Sequence, residues 1–368
     1  MNALARVLDE REVLVCVGTG GVGKTTTAAA LAMAAARRGR RVCVLTIDPA
    51  RRLSDAMGID GDLALGNEPR RIDLPDTTAA PAGGTDGSGD GELWAVMLDT
   101  ATTFDALIAT YAPTPAQERT IVTNRFYRNI ADSMSGAHEY MAMEKLYELH
   151  ADERFDLVVV DTPPTTNAID FLEAPDRIRR FLDHRLYSVL VTPTGGLARV
   201  ANAAARTFLR SVARIVGASV VDDAIEFFAA FDGMEDGFRA RAAAVERLLR
   251  AEGTAFVAVA SPRADVVRDV LAFTALLGGT GITTEAVVVN RVHPRFISAV
   301  PKGLDDPALA PFAAVLAESV AITDAEDAAI GPLEELLGAE VVRVPLLDAD
   351  VHDLAALDAL GPLLLAEG

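Results

Sequence analysis

Residues 18–25, GTGGVGKT, combine four glycines with a lysine and a threonine in the spacing GxxxxGK[ST], which is typical of a phosphate-binding loop. An apolar run precedes this loop at residues 13–17, and an alanine-rich helical segment follows it. Glycines let backbone N–H groups turn towards phosphate oxygens, and the start of the helix presents its positive end to the same anion. We therefore expect phosphate groups to contact Gly18, Gly20, Gly21, Val22, Gly23, Lys24, Thr25 and Thr26.

The side chains of this loop predict a nucleoside triphosphate held together with Mg²⁺. The ammonium group of Lys24 can reach the β- and γ-phosphates, and the Thr25 hydroxyl can bind the metal ion. Thr26 can contact the α-phosphate. A glycine turn with a chance lysine is the alternative, and the flanking strand and helix argue against it.

Two aspartates follow apolar strands and complete the predicted site. Asp48 leaves a strand directly before Pro49, which favours an extended backbone and aims the carboxylate at the phosphates, as a general base or water-positioning group. Asp161 follows the run at 157–160 in the arrangement of a Walker B acid and is predicted to face the Mg²⁺ shell. The alternatives are an Asp-Pro turn at Asp48 and a helix N-cap at Asp161.

Short apolar runs alternate with helical stretches, which predicts an α/β fold with a mostly parallel sheet of about eight strands and helices on both faces. Near-continuous apolar strands suit a sheet that is buried on both sides. The strands are expected near residues 13–17, 42–47, 94–98, 157–160, 189–192, 255–260, 286–289 and 341–344.

Three segments depart from this alternation. Residues 75–92 are rich in Gly, Asp, Thr and Pro and are predicted to form a disordered surface loop. Residues 100–152 and 195–252 are predicted to be helical and to form a helical subdomain within a single domain spanning 1–368. Apolar residues in these segments, including Met134, Met141, Met143 and the run 227–234, form either core or an exposed patch.

Composition narrows the classes of partner. The net charge of −19 disfavours nucleic acid as a general partner, because the field repels phosphate backbones. No apolar run approaches the ~18 residues of a membrane span, and the first residues lack a signal-peptide pattern. We expect a cytoplasmic protein without an integral membrane segment.

Cys16 and Cys43 lie in apolar strands and are expected to be buried, inert thiols.

Five segments taken in order carry a family resemblance: GTGGVGKTT, DPARRLSD, DTPPTTNAIDFL, VVVNRVHP and VPLLDADV. Together they resemble the arsenite-pump and GET (guided entry of tail-anchored proteins) ATPases, which belong to the deviant Walker A class of dimeric P-loop NTPases. The resemblance extends from about residue 13 to residue 357. It implies an ATPase that binds ATP and Mg²⁺ and hydrolyses ATP to ADP and phosphate.

The resemblance also implies roles for individual residues. Asp48 looks like the catalytic acid that activates water, and Asp161 heads the second switch. Asn290 resembles the residue that recognises adenine, and Pro345 with Leu346 resembles the loop that covers the base. The helical subdomain would correspond to the element that forms a groove for hydrophobic client helices in GET members.

Four departures from the family pattern are visible. The second switch reads DTPPTTN, the dimer-bridging CxxC is absent, and so is the cysteine trio that binds arsenite. The fourth is Thr19, which stands where the family has a lysine that reaches the ATP of the opposite subunit. A homodimer would lack that cation at both sites. The sequence therefore favours a heterodimer with a lysine-bearing homologous ATPase subunit, as in the paired bacterial GET-like ATPases; a homodimer remains the alternative.

Two functions remain open. In the first, the chain is a targeting or chaperone-like ATPase that holds a hydrophobic client helix. In the second, it is a nucleotide-dependent switch or scaffold without a client groove. Exposure of the Met and Phe stripes at 134–143 and 227–238 would favour the first, and their burial the second. An arsenite-stimulated pump subunit is disfavoured, because two strand cysteines cannot replace the missing trio.

Overall fold

The structure is a computed structural model that describes residues 2–47, 52–57, 66–75, 91–128, 137–163, 168–183, 218–301 and 308–366. Helices and strands follow one another along the described chain. Their order is α1 (Ala3–Glu10), β1 (Val13–Val17), α2 (Lys24–Arg37), β2 (Arg41–Thr46), α3 (Arg52–Ala56), β3 (Arg70–Ile72), β4 (Glu92–Met97), α4 (Thr100–Tyr111), α5 (Pro115–Thr123), α6 (Ala137–His150), β5 (Leu157–Asp161), α7 (Ala168–Leu182), α8 (Ala218–Ala230), α9 (Glu235–Leu249), β6 (Thr254–Ala260), α10 (Ala264–Gly279), β7 (Thr284–Val292), α11 (Ala310–Leu336), β8 (Glu340–Pro345) and α12 (Leu354–Leu365).

The described strands form one eight-stranded sheet in the order β3-β4-β2-β5-β1-β6-β7-β8. All neighbouring pairs are parallel except β3 with β4. The expected α/β fold with a mostly parallel sheet is therefore confirmed. The short antiparallel strand β3 was not predicted, because its sequence Arg-Arg-Ile carries no apolar run. The strand expected at 189–192 and most of the predicted loop at 75–92 lie outside the described residues.

The central strands are apolar along their whole length because both faces of the sheet are covered. Every residue of β1 and of β5 is buried. Helix α2 contributes mainly alanines to the core, with Leu31 and Met33 fully buried. Small side chains let this helix lie close to the strands, and α1 and α12 contribute further apolar side chains to the same core.

The described residues divide into two compact units. The first comprises Met1–Met97, Leu149–Ile169 and Arg250–Gly368 and contains the sheet. The second comprises Leu98–Glu148 and Asp170–Leu249 and is built of helices. Aromatic rings form much of its interior, with neighbouring ring centroids such as Phe231 and Phe238 4.9 Å apart.

Helix starts in the second unit follow ordinary capping chemistry. The Asp99 carboxylate accepts a hydrogen bond from the backbone N–H of Thr102 at the start of α4. The Thr114 hydroxyl accepts a hydrogen bond from the backbone N–H of Gln117 at the start of α5, where Pro115 occupies the first turn.

Among the residues that the structure describes, no helix combines the length and apolarity of a membrane-spanning helix.

Candidate functional site

The predicted site residues that the structure describes gather at one edge of the sheet. The glycine-rich loop follows β1, Asp161 ends β5, and Pro345 ends β8. Asn290 lies near the end of β7. Because these strands are parallel, their carboxyl ends share one edge, where ligands bind in open α/β sheets.

The loop depends on glycine at two positions for different reasons. Gly18 has φ 153°, and a Cβ added there would lie closer than 3.0 Å to the backbone oxygen of Val259 on β6. Gly23 has φ 96° at the start of α2, and a Cβ there would meet the side-chain amide of Asn290. The loop is thus packed against two strands and cannot carry side chains at these points.

The lysine of the loop is buried and turned inward. The Lys24 side chain is 6% exposed, and its ammonium group donates a hydrogen bond to the backbone oxygen of Thr19 at 2.9 Å. The ammonium therefore lies inside the curve of the loop, where a phosphate binds in loops of this pattern. The hydroxyl oxygen of Thr19 is itself buried and has no hydrogen-bond partner among the described residues.

Thr25 and Asp161, distant in sequence, meet at the carboxyl end of β5. The Thr25 hydroxyl donates to Oδ2 of Asp161 at 2.8 Å. The Thr46 hydroxyl donates to the same oxygen at 3.0 Å. Thr46 ends β2 and is paired with Asp161 in the register of the two strands. Sequence reasoning missed Thr46, because only the strand register reveals its position.

This donor set fits a magnesium ion. A hydroxyl and a carboxylate are the hard oxygen ligands that Mg²⁺ prefers, and they lie beside a loop suited to phosphate. Thr25 and Asp161 are the residues that would hold the ion. When bound, Mg²⁺ supplies positive charge that neutralises phosphate oxygens. Among the described residues, no separate cluster of His, Cys, Asp and Glu side chains could hold a metal.

Asp48, the predicted catalytic acid, lies outside the described residues. The residue before it is described: the backbone N–H of Ile47 donates to the backbone oxygen of Asp161 at 3.1 Å. The chain thus leaves β2 beside the end of β5. The catalytic role of Asp48 stays a prediction.

Asn290 contacts the phosphate loop. Its amide nitrogen donates to the backbone oxygen of Val22 at 3.0 Å, and its Oδ1 accepts from the backbone N–H of Arg291 at 3.0 Å. Next to it, the N–H of Leu346 donates to the backbone oxygen of Val292 at 2.8 Å. Leu346 is 41% exposed and therefore presents apolar surface to solvent. Adenine recognition by Asn290, Pro345 and Leu346 stays a prediction.

The two cysteines of the sheet are buried. Cys16 lies in β1 and Cys43 in β2, and neither forms a disulfide among the described residues. Burial raises the pKa of the Cys16 thiol well above its usual range, and the nearby Asp161 carboxylate raises it further. A thiol with a raised pKa stays protonated, and it therefore reacts slowly.

The stripes that could have formed a client patch are buried where the structure describes them. Met141 and Met143 are 1% and 0% exposed. The large apolar residues of the second stripe are also buried: Phe227, Phe228, Phe231, Met234 and Phe238. Met134 lies outside the described residues. The exposed large apolar side chains among the described residues of the helical unit are Val220 and Ile225.

Known proteins resemble this chain over much of its length. Residues 11–302 match the family model described as anion-transporting ATPase. An uncharacterized protein of Streptomyces coelicolor is 32% identical over 284 residues, which cover 76% of this chain and 62% of that protein. The ATPase ASNA1 homolog of Babesia bovis is 30% identical over 186 residues (50% and 43% covered), and the ATPase GET3 of Malassezia globosa is 27% identical over 181 residues (49% and 47%).

The matched part of the chain spans between 43% and 62% of the lengths of these relatives. The family model covers most of the chain, and the relatives include two proteins named as ATPases. The family expected from the five sequence segments is thereby confirmed. The chain belongs to the anion-transporting ATPase family.

Proposed function

We propose that this protein binds Mg·ATP at the carboxyl edge of the sheet and hydrolyses it to ADP and phosphate. The observation that carries the proposal is the meeting of Thr25 with Asp161 at 2.8 Å, directly beside the glycine-rich loop. This contact joins the phosphate loop to the predicted metal-binding acid. Membership of an ATPase family supports the same activity.

In this proposal each part of the site has one task. Backbone N–H groups of the loop and the first turn of α2 bind phosphate oxygens, and Lys24 neutralises their charge. Thr25 and Asp161 hold the magnesium ion, and Thr46 fixes the Asp161 carboxylate. Asp48 positions and deprotonates the attacking water. The proposed adenine contacts are Asn290, Pro345 and Leu346.

The test compares two aspartates that flank the same strand. Asp161→Asn removes the charge at the carboxyl end of β5, and Asp156→Asn removes the charge just before its amino end, where Asp156 pairs with Arg41. We expect Asp161→Asn and Lys24→Ala to lower magnesium-dependent ATP hydrolysis by about 10²-fold or more. Asp156→Asn should leave it unchanged. Equal loss in both aspartate variants would contradict the proposed site.

Asp48→Asn tests the catalytic acid separately. It should abolish turnover while ATP binding, followed by calorimetry, survives. Undiminished hydrolysis would remove Asp48 from the proposal.

We further propose that the chain acts with a homologous subunit that carries a lysine at the position of Thr19. A cation supplied in trans to a transferring phosphoryl group is worth about 10³–10⁵ in rate, and a threonine hydroxyl supplies no charge. A homodimer is the alternative.

The pairing is tested by mixing. The ATPase activity of the purified chain is measured alone. A lysine-bearing homologue from the same organism is measured alone as well, and the two proteins are then measured as a mixture. We expect the mixture to exceed the sum of the separate rates at least tenfold, within the range that a cation in trans can supply. Additive rates would contradict the pairing and leave the ATP site intact.

The burial of the described Met and Phe stripes supports a nucleotide-dependent switch over a client-binding ATPase. A groove for a hydrophobic helix needs a contiguous exposed apolar surface, and these side chains are in the core of the helical unit. The targeting or chaperone-like role remains a prediction that would depend on residues outside this set. Stable capture of an apolar helical peptide by the ATP-bound protein would favour the client role.

A further inference from the structure

Strand β7 carries a bulge where it passes the phosphate loop. Val289 pairs with Arg343 and Val292 pairs with Pro345, so β7 has one more residue than β8 between these pairs. The additional length falls at Asn290 and Arg291. Bulges bend a strand and redirect side chains, and they are frequent beside functional sites.

Arg291 adopts a backbone conformation that arginine rarely takes. Its φ is 63°, and among the described residues it is the one non-glycine residue with positive φ. The left-handed conformation is unfavourable for a residue with a Cβ. Such strain persists where the surroundings impose it, and it marks positions where function is worth testing.

The bulge directs two consecutive side chains onto two consecutive carbonyls of the loop. Asn290 donates to the backbone oxygen of Val22, and Nη1 of Arg291 lies 3.3 Å from the backbone oxygen of Gly21. The guanidinium therefore reaches the glycine turn of the loop from β7. Among the described residues, Arg291 forms no ion pair, and its side chain is exposed to solvent.

The residues that follow the bulge are anchored elsewhere. The backbone N–H of His293 and its Nδ1 contact the Glu326 carboxylate of α11 at 2.8 and 2.6 Å. Arg295 pairs with Asp324 and Asp327 of the same helix. These contacts hold the segment after β7 in place and leave Arg291, unlike Arg295, without a carboxylate partner in the described structure.

A bound nucleotide would add negative charge at the edge of the sheet where Arg291 lies. The Asp161 carboxylate lies beside the loop, and a magnesium–triphosphate complex is itself anionic, so a cation in addition to Lys24 would stabilise the bound complex. We propose that Arg291 is a nucleotide-binding residue that contributes a second positive charge at the phosphate loop. The inference rests on the proposed ATP site and adds a residue that the loop motif does not contain.

Three variants separate the charge from the backbone strain. Arg291→Ala removes the guanidinium and keeps a Cβ in the left-handed conformation. Arg291→Gly also removes the guanidinium but relieves the strain, and Arg291→Lys keeps the charge. Arg6→Ala is the matched control, because Arg6 is an exposed arginine on α1 and its loss changes the net charge equally.

The readout is the dissociation constant of a magnesium complex of a non-hydrolysable ATP analogue, measured by calorimetry at low and moderate salt. We expect Arg291→Ala and Arg291→Gly to weaken binding about tenfold, as befits a charged hydrogen bond partly screened by solvent. Arg291→Lys should recover part of the loss, and Arg6→Ala should bind normally. Binding by the Ala and Gly variants should also depend less on salt than binding by the parent chain.

The proposal is overturned if Arg291→Gly binds the analogue as tightly as the parent chain, whatever the Ala variant does. That result would assign Arg291 to the backbone alone. Failure of the ATP site itself is distinguishable, because then the parent chain would not bind the analogue, or Lys24→Ala would bind it equally well. Circular dichroism of each variant verifies the fold.

Discussion

At the scale of single residues, the glycines of the phosphate loop make a sharp prediction. A Cβ at Gly18 would overlap the backbone oxygen of Val259, which cannot move without distorting β6. A Cβ at Gly21 would meet nothing within 4 Å, although φ there is 77°. We expect Gly21→Ala to cost about 1–2 kcal/mol of stability through the left-handed backbone alone.

Gly18→Ala should cost clearly more and should also weaken nucleotide binding, because the loop must shift away from β6. Urea unfolding and calorimetric titration of both variants provide the measurement. Equal losses of stability in the two variants would show that the loop is not held against β6 as described.

Residue types and spacing predicted the loop, Lys24, Thr25 and Asp161 as site residues, because those signals are local. Thr46 and Arg291 were not predicted, because their contacts depend on strand register and on a bulge. Periodicity does not encode either feature. The contact of Asn290 with Val22 likewise depends on the neighbouring strands rather than on the motif in which Asn290 lies.

At the scale of elements, α6 and α9 are joined by a buried ion pair. Arg241 of α9 donates from Nε to Oε2 of Glu144 on α6 at 2.7 Å, and its guanidinium lies 4.0 Å from the Tyr147 ring centroid. Glu144 is 2% exposed, and burial raises the pKa of its carboxyl above the usual value. A raised carboxyl pKa means that this group contributes less stability as pH rises through its folded-state pKa.

Arg241→Ala should therefore destabilise the helical unit by about 3 kcal/mol at pH 7, because it leaves the buried Glu144 carboxylate without its cation. The loss should shrink as the pH is lowered from 7, because Glu144, whose pKa is raised, takes up a proton and becomes neutral. Thermal unfolding followed by far-ultraviolet circular dichroism, at pH 7 and at a lower pH, provides the measurement.

Arg239→Ala is the matched control on the same helix. Arg239 pairs with Asp183 and Asp236 on the surface, where such pairs contribute at most about 1 kcal/mol. Its effect should be small at both pH values. A loss in Arg241→Ala that is independent of pH would contradict the assigned role of Glu144.

Most of the strands could be predicted from the sequence because they are buried on both faces. Apolar runs at 13–17, 157–160 and 255–260 correspond to β1, β5 and β6. Strand β3 could not be predicted, because a three-residue edge strand with two arginines has no apolar pattern. The order of the strands could not be read from periodicity, since neighbours in the sheet are often distant in sequence.

At the scale of the whole molecule, the chain passes from the first compact unit to the second between Ile169 and Asp170, a few residues after Asp161 in the sequence. Asp161 ends β5, and α7 begins at Ala168 in the first unit and continues from Asp170 in the second. A change in the backbone after Asp161 is therefore connected by a short covalent path to a helix of the other unit. In a nucleotide-dependent switch, a change at such a segment would alter the conformation of the helical unit.

Hydrogen–deuterium exchange with and without Mg·ATP tests that connection. We expect the nucleotide to slow exchange in the loop and at the start of α2, because binding orders those N–H groups. In a switch, exchange in α7 and in the helices α8 and α9 must change as well, although no nucleotide contact is proposed there. Lys24→Ala is the control, since it should abolish both effects by preventing binding. Protection confined to the sheet unit would contradict the switch and would indicate an ATPase whose helical unit does not respond to nucleotide. A ligand shifts a conformational equilibrium only when it binds the two conformations with different affinity.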